Sequence, residues 1–264
     1  MIEAPQSFVI RQECDKIAFQ NGFRRTHGET EGWRRYSSTT AQGSIWLAAE
    51  ENGNWLLAID HAGVLGEIGL EMSDSVGPGL ARFRFASLTS LYAIMPRLYE
   101  LAVSLPDAPL QEFLHRTSEM PRTTEAERLV VQRVGQDIFR DRLITYWQGC
   151  CPLTGISDHA LLRASHIKPW KDCETDNERL DVHNGLLLSA LWDAAFDGGL
   201  VTFDKDGRPQ YSKELSSESL ASLGYGTSLQ LTDKHQAFLD WHRDKVFGKC
   251  IAIQTGSGDN DDYS

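Results

Sequence analysis

The sequence predicts an α+β fold, with a small α+β domain over residues 1–105 and a second unit in which two short strands run into a helix between flanking helices. Three observations carry this. Two apolar runs, Gly43–Glu50 and Trp55–Asp60, flank Glu51-Asn52-Gly53-Asn54, and Asn-Gly is the favoured centre of a two-residue type I′ hairpin turn. Two long segments, Leu88–Leu105 and Glu125–Trp147, repeat apolar residues at helical spacing. Between Leu161 and Asp197, two strand signals and a helix signal follow one another closely.

Taken in order, Gln6–Asn21 sets Phe8, Val9, Ile17, Ala18 and Phe19 between charges, as an amphipathic helix does, and Gly22 ends it. After the hairpin, Arg82-Phe83-Arg84-Phe85 alternates strictly and reads as a strand with one basic face. Arg82 and Arg84, with Arg34 and Arg35, are candidates for phosphate contacts; Trp33, Trp46 and Trp55 are candidates for base stacking, although tryptophans are more often core. Residues 106–122 carry Pro106, Pro109 and Pro121 and are expected to be a linker, in which Leu110–His115 can form a helical turn. The second domain then runs over 123–254, opening with the Glu125–Trp147 helix. Leu161–Ala164 is a strand that delivers His166 at its end, Gly185–Leu188 returns toward it, and Ser189 is placed to cap a helix from Ala190. Leu200–Phe203 and Gln210–Ser212 form a hairpin around Asp206-Gly207, His235–Val246 is the last helix, and 255–264 is an acidic, flexible tail.

The two-strand and helix stretch is where chemistry concentrates. Asp193 and Asp197 lie four residues apart, so their carboxylates leave one face of the helix, while Leu191, Trp192, Ala195 and Phe196 supply an apolar flank. One histidine, one asparagine and two carboxylates then converge, which suits phosphodiester hydrolysis. That reaction needs a base to deprotonate water and a cation to neutralise charge at phosphorus and the leaving oxygen. His166 is the natural base, because its ordinary pKa lies near neutrality, and the Asn184 carbonyl is expected to accept its other ring N–H and fix the tautomer. Asp193 and Asp197 are the expected metal ligands, and hard oxygen donors favour magnesium or manganese over zinc. His183, beside Asn184, is expected to be exposed.

These residues carry a resemblance. Cys151-Pro-Leu-Thr-Gly155, Ala164-Ser-His166-Ile-Lys-Pro-Trp170, Arg179-Leu-Asp181, Asn184-Gly-Leu-Leu-Leu188 and the run from Asp193 to Phe203 resemble the HNH endonucleases of the ββα-metal fold, and within them the restriction-type branch. The resemblance extends over residues 123–247, taking in Arg133-Val-Gly-Gln136, Phe139-Arg140 and Trp147 before the motif and His242–Phe247 after it. It implies His166 as general base, Asn184 as its orienting residue, and the helix carboxylates as ligands to a divalent metal, with Asp193 the first choice and Asp197 either completing the site or acting through water. Arg163 and Lys168 are the expected substrate contacts. Two departures stand out: Asp193 or Asp197 replaces the third histidine of the family name, and Ser165 occupies the place before the catalytic histidine.

Composition sets wider bounds. With 264 residues, 41% of them hydrophobic, the chain can bury a core, and no run is apolar and long enough to span a membrane. Its start lacks a secretory pattern, so a cytoplasmic setting is expected. The 5 cysteines contain no C-x-x-C pair, which argues against a disulfide framework and against structural zinc. The net charge of −11 weighs against a polyanion partner. Between Gln132 and Lys171, however, six basic residues stand against three acidic ones. The combined expectation is a metal-dependent endonuclease acting on DNA in restriction or defence, with no membrane partner and a homodimer as an allowed assembly. The rivals are a DNA-binding or regulatory protein with a degenerate nuclease unit, or a nuclease for RNA or structured DNA.

Overall fold

Alternating side chains divide the first sheet into two faces. The computed structural model describes residues 1–224 and 227–249, and it begins with α1 (Phe8–Gln20) followed by an antiparallel sheet in sequential order: β1 (Arg25–Thr30), β2 (Trp33–Ser37), β3 (Ser44–Ala49), β4 (Trp55–Ile59) and β5 (Ala81–Phe85). Ile45, Leu47 and Ala49 of β3, Trp55, Leu57 and Ile59 of β4, and Ala81, Phe83 and Phe85 of β5 join the main core on the inner face. Ala48, Leu56 and Ala58 belong with Trp33 to a smaller cluster on the outer face, as a two-residue period requires. α1 and α3 (Leu88–Ser104) pack on the inner side. At the free edge of β5 Ser73 donates its N–H to the Arg82 carbonyl, and on the outer side Gly77 sits so close to Trp33 that a Cβ there would fall 2.6 Å from the indole.

The Asn-Gly turn differs from expectation. Glu50 N–H donates to the Asn54 carbonyl and Gly53 N–H to the Glu50 carbonyl, which closes a three-residue loop with Gly53 at φ 87°. Asn52 therefore does not adopt the left-handed conformation that a type I′ turn needs, and the loop has the form of a type I turn followed by a bulged glycine. The expected linker is also partly ordered structure. Residues Ala108–Thr117 form α4, whose Phe113 is buried and belongs to the same core cluster as the inner face of the first sheet. Pro109 sits in the first turn, where it costs no hydrogen bond, so the prolines there mark a helix start as well as a break. β1, β2 and the short α2 (Ala62–Glu67) were not anticipated: the strands are polar or carry arginines, and α2 is only six residues long.

The arginines proposed for phosphates have internal partners. Arg34 pairs with Asp15 at 2.7 Å, Arg84 with Glu50 at 3.2 Å, and Arg82 donates to the Ser75 and Gly79 carbonyls. Arg35 lies over the Trp46 ring.

The long α5 (Glu125–Tyr146) starts at a capping box in which Thr124 accepts the Glu127 N–H and the Glu127 carboxylate accepts the Thr124 N–H. Its buried Ile138, Phe139 and Leu143 form the floor for β6 (Leu162–His166) and β7 (Gly185–Ser189), which pair antiparallel with His166 opposite Gly185. α6 (Asp176–Leu180) lies between these strands. Gly185 is extended, and its need for glycine is steric: a Cβ would fall 2.6 Å from Phe139 and 2.8 Å from Leu143. α7 (Ala190–Asp197) follows, with Ser189 at the N-cap making no side-chain cap hydrogen bond. A small hairpin of β8 (Val201–Phe203) and β9 (Pro209–Tyr211), then α8 (Ser217–Leu223) and α9 (Asp233–Lys245), complete the described chain. The tail expected at 255–264 lies outside the described residues.

Candidate functional site

β6 and α7 meet through one hydroxyl. Ser165 donates to Asp193 Oδ1 in a short hydrogen bond, and its Oγ is 3.5 Å from Asp197 Oδ1, so the two carboxylates that leave one helix face converge on a residue the strand presents. The Asp197 carboxyl is raised to about 6, first by burial and then by the nearby Asp193 charge, with the Ser165 hydroxyl opposing both. Two carboxylates and a hydroxyl make a hard oxygen set with excess negative charge, a composition that fits a divalent cation. No group of three or more His, Cys, Asp or Glu side chains suited to a metal occurs among the described residues; the third oxygen beside the two carboxylates is the Ser165 hydroxyl.

His166 is the next residue of β6 and its contacts lie with α5 and the following loop. Its ring stacks on Phe139 with centroids 3.7 Å apart, meets Trp170 edge-on at 5.7 Å, and donates from Nε2 to the Arg179 carbonyl at 2.9 Å. Because a carbonyl only accepts, Nε2 carries the proton and Nδ1 carries the lone pair. Burial pushes the imidazole down to about 4, against the upward pull of that carbonyl, which leaves the ring neutral at pH 7. Ser165, His166, Asp193 and Asp197 line one cavity of about 950 Å³, walled also by Arg140, Arg163, Trp170, Lys171, Trp241 and Lys245.

The asparagine plays a different part from the one expected. Asn184 is fully buried and does not accept the His166 ring N–H, a place the Arg179 backbone takes. Its Oδ1 accepts the Lys168 N–H at 2.7 Å, while Nδ2 donates to the carbonyls of Lys168 and Glu178 at 3.1 and 3.0 Å. One amide thereby ties the chain leaving β6 to α6, the helix that supplies the Arg179 carbonyl. Arg179 is itself held by the carbonyls of Cys173 and Trp170 and by Asp176 at 3.0 Å. This orienting role is invisible in side-chain spacing because the acceptor is a main-chain oxygen.

Of the two expected substrate contacts, Arg163 lines the cavity and is exposed, whereas Lys168 is paired with Glu178 at 3.0 Å and does not line it. Lys171, three residues on, does.

His183 is buried, contrary to expectation. Nδ1 meets Asp181 at 2.6 Å and Nε2 meets Glu67 at 2.8 Å, and Tyr146 also donates to Glu67 at 2.8 Å. His183, in the turn before β7, therefore ties the nuclease-like unit to α2. The tie was not legible because Glu67 is distant in sequence and belongs to a helix too short to read. Beside it His235 of α9 is fully buried, 5.1 Å from the His183 ring.

These histidines set a pH dependence. Burial lowers His183, but its hydrogen bonds to Asp181 and Glu67 prevail and raise it, so its contribution is full below about 6.5 and fades as pH rises through its folded value. His235 and His242 are pushed down to about 4, mainly by burial, so the unfolded chain takes up their protons between pH 6.5 and 4 while the folded chain does not. Each of these costs up to about 3 kcal/mol across that interval. Glu67, held below its ordinary value because hydrogen bonds from His183 and Tyr146 outweigh its burial, also loses its contribution in acid. The melting temperature is expected to fall between pH 6.5 and 4.5; an unchanged or higher value at pH 4.5 would contradict the neutral, buried state of His235 and His242.

Residues 151–204 match the HNH_2 family, described as HNH endonuclease, which supports the resemblance read from the sequence over that stretch. No curated protein matches the chain. An HNH endonuclease domain supports a nuclease-type function generally and implies a nucleic-acid substrate, and nucleases of this family generally use a divalent metal. Among the described residues no helix is long and apolar enough to cross a membrane.

Proposed function

We propose that the chain is a divalent-metal-dependent endonuclease that hydrolyses DNA phosphodiester bonds, with His166 as general base. The observation that carries this reading is the shared cavity: a neutral imidazole with its lone pair on Nδ1 lies in the same recess as two carboxylates joined by Ser165. Asp193 and Asp197, with Ser165 beside them, would hold magnesium or manganese, which supplies charge neutralisation at the phosphate and leaving oxygen when bound. His166 takes the proton of the attacking water at Nδ1, and its Nε2–H stays on the Arg179 carbonyl, which stabilises the imidazolium that results. Phe139, Trp170 and the Asn184 clamp keep the ring in one orientation. Residues 1–105 would select targets or bind a regulator. The cytoplasmic setting, a homodimeric assembly and a role in restriction or defence belong to this proposal, the last on the resemblance alone.

The second reading, a regulatory DNA-binding protein with a degenerate nuclease unit, draws on the lack of a third His, Cys, Asp or Glu ligand among the described residues. Calorimetric titration with Mn²⁺ separates the two. Wild-type protein is expected to bind the ion and Asp193→Ala to bind it at least tenfold more weakly, with DNA affinity measured in EDTA little changed, since phosphate contact and metal ligation are separate contributions. An identical titration for both proteins would exclude Asp193 as a ligand.

A further inference from the structure

The last helix reaches the cavity although it lies beyond the matched stretch. α9 is fixed there by His242, which stacks on Phe196 with centroids 3.9 Å apart and hydrogen-bonds to Thr202 Oγ1 and the Phe196 carbonyl, each at 3.1 Å. Arg243 donates to the Phe203 carbonyl, and Gly248 N–H to the Gly199 carbonyl at 3.0 Å. This anchoring sets Trp241 and Lys245, four residues apart on one face, at the cavity wall.

The two tryptophans of that wall differ. Trp170 is committed to the protein, edge-on to His166, 5.9 Å from the Arg179 guanidinium, and against Gly135, where a Cβ would fall 2.6 Å away. Trp241 is half-buried and has no hydrogen bond, ring contact or cation partner among the described residues. Lys245 is exposed; its ammonium meets Asp244 at 2.7 Å, a surface pair that a phosphate can replace at little cost. Arg163 and Lys171 are the other exposed cations of the wall.

Resting on the nuclease reading, we propose that Trp241 and Lys245 form a nucleotide-binding platform that takes an unstacked base and its phosphate next to the cleaved bond, so that unpaired DNA is preferred over duplex. An indole offers a face to a base only when that base has left the stack, and such stacking tolerates any sequence. The charge balance points the same way. Duplex binding depends on neutralising many phosphates, and a chain of net charge −11 with three exposed cations at this wall is poorly equipped for it. One aromatic face supplies affinity that does not require a basic surface.

The test is fluorescence anisotropy with a labelled 20-nucleotide DNA strand, alone and annealed to its complement, in EDTA so that binding is read without cleavage or bound metal. Wild type is expected to bind the single strand more tightly than the duplex. Trp241→Ala should weaken single-strand binding about tenfold or more and leave duplex binding unchanged, and Trp241→Phe should restore most of the loss. In cleavage assays with Mn²⁺ the alanine variant should raise KM on the single strand with kcat retained. Equal loss on both substrates, no loss in a variant that melts as wild type does, or a wild-type preference for duplex would overturn the proposal. Because the binding arm needs no chemistry, it can succeed where cleavage is absent, and a wild type that cleaves DNA yet binds the single strand no better than the duplex would count against the platform alone.

Discussion

Replacing His166 by alanine is expected to lower the rate of phosphodiester cleavage by about two to four orders of magnitude, the range for loss of a positioned general base. The expectation follows from the tautomer. The Arg179 carbonyl holds the proton on Nε2, so Nδ1 is the one basic nitrogen available, and the low pKa keeps it unprotonated at neutral pH. The side chain also packs on Phe139, so its removal should cost stability, by about 2 kcal/mol for a buried group of this size. A His166→Gln variant controls for packing, because its amide can still donate to the Arg179 carbonyl yet offers no base. Both variants should unfold cooperatively and both should lose the rate. Cleavage at the wild-type rate by either variant, at a temperature where it is folded, would remove His166 from the chemistry.

Asn184→Ala is expected to act through the fold. It strips the Lys168 N–H and the Glu178 carbonyl of their partner at a fully buried position and leaves the Lys168 carbonyl with only the Cys173 thiol, and each buried group left unpaired costs about 1–3 kcal/mol. The expected sum for the two unpaired groups, about 2–6 kcal/mol, is large enough to read in urea unfolding. Activity should fall with it, because α6 carries the carbonyl that orients His166. Rate loss in Asn184→Ala should therefore ease on cooling or with added osmolyte, whereas that in His166→Ala should not. A variant as stable as wild type but inactive would instead give Asn184 a direct chemical part.

The contrast between these two residues shows what the sequence reveals and what it withholds. The positions of β6, β7 and α7 were legible because each has a local signal: Leu161–Ala164, Gly185–Leu188, and the four-residue spacing of Asp193 and Asp197. The convergence of those carboxylates on Ser165 follows from the same periodicities, though the serine read only as a departure from the family pattern. The Arg179 carbonyl was not legible, since every residue has one. Nor was the burial of His183, whose partner Glu67 is more than a hundred residues away in an unrecognised helix. In the first sheet the apolar runs of β3 and β4 and the alternation of β5 were clear, but β1 is exposed along most of its length and gives no apolar signal. α4 was legible only as a helical turn at Leu110–His115, because the prolines around it ordinarily mark connections, although Pro109 stands where a helix accepts one.

On the function proposed above, this chain would break phosphodiester bonds with His166 as base and a divalent ion held by the α7 carboxylates. The most direct test incubates wild type and His166→Gln side by side with plasmid DNA and with a labelled single strand, in Mg²⁺, in Mn²⁺ and in EDTA, and follows product ends on a denaturing gel. Cutting by wild type in at least one metal, abolished by EDTA and missing from the folded variant, is the predicted result. Cutting that survives EDTA, equal cutting by His166→Gln, or intact DNA under every condition would contradict it.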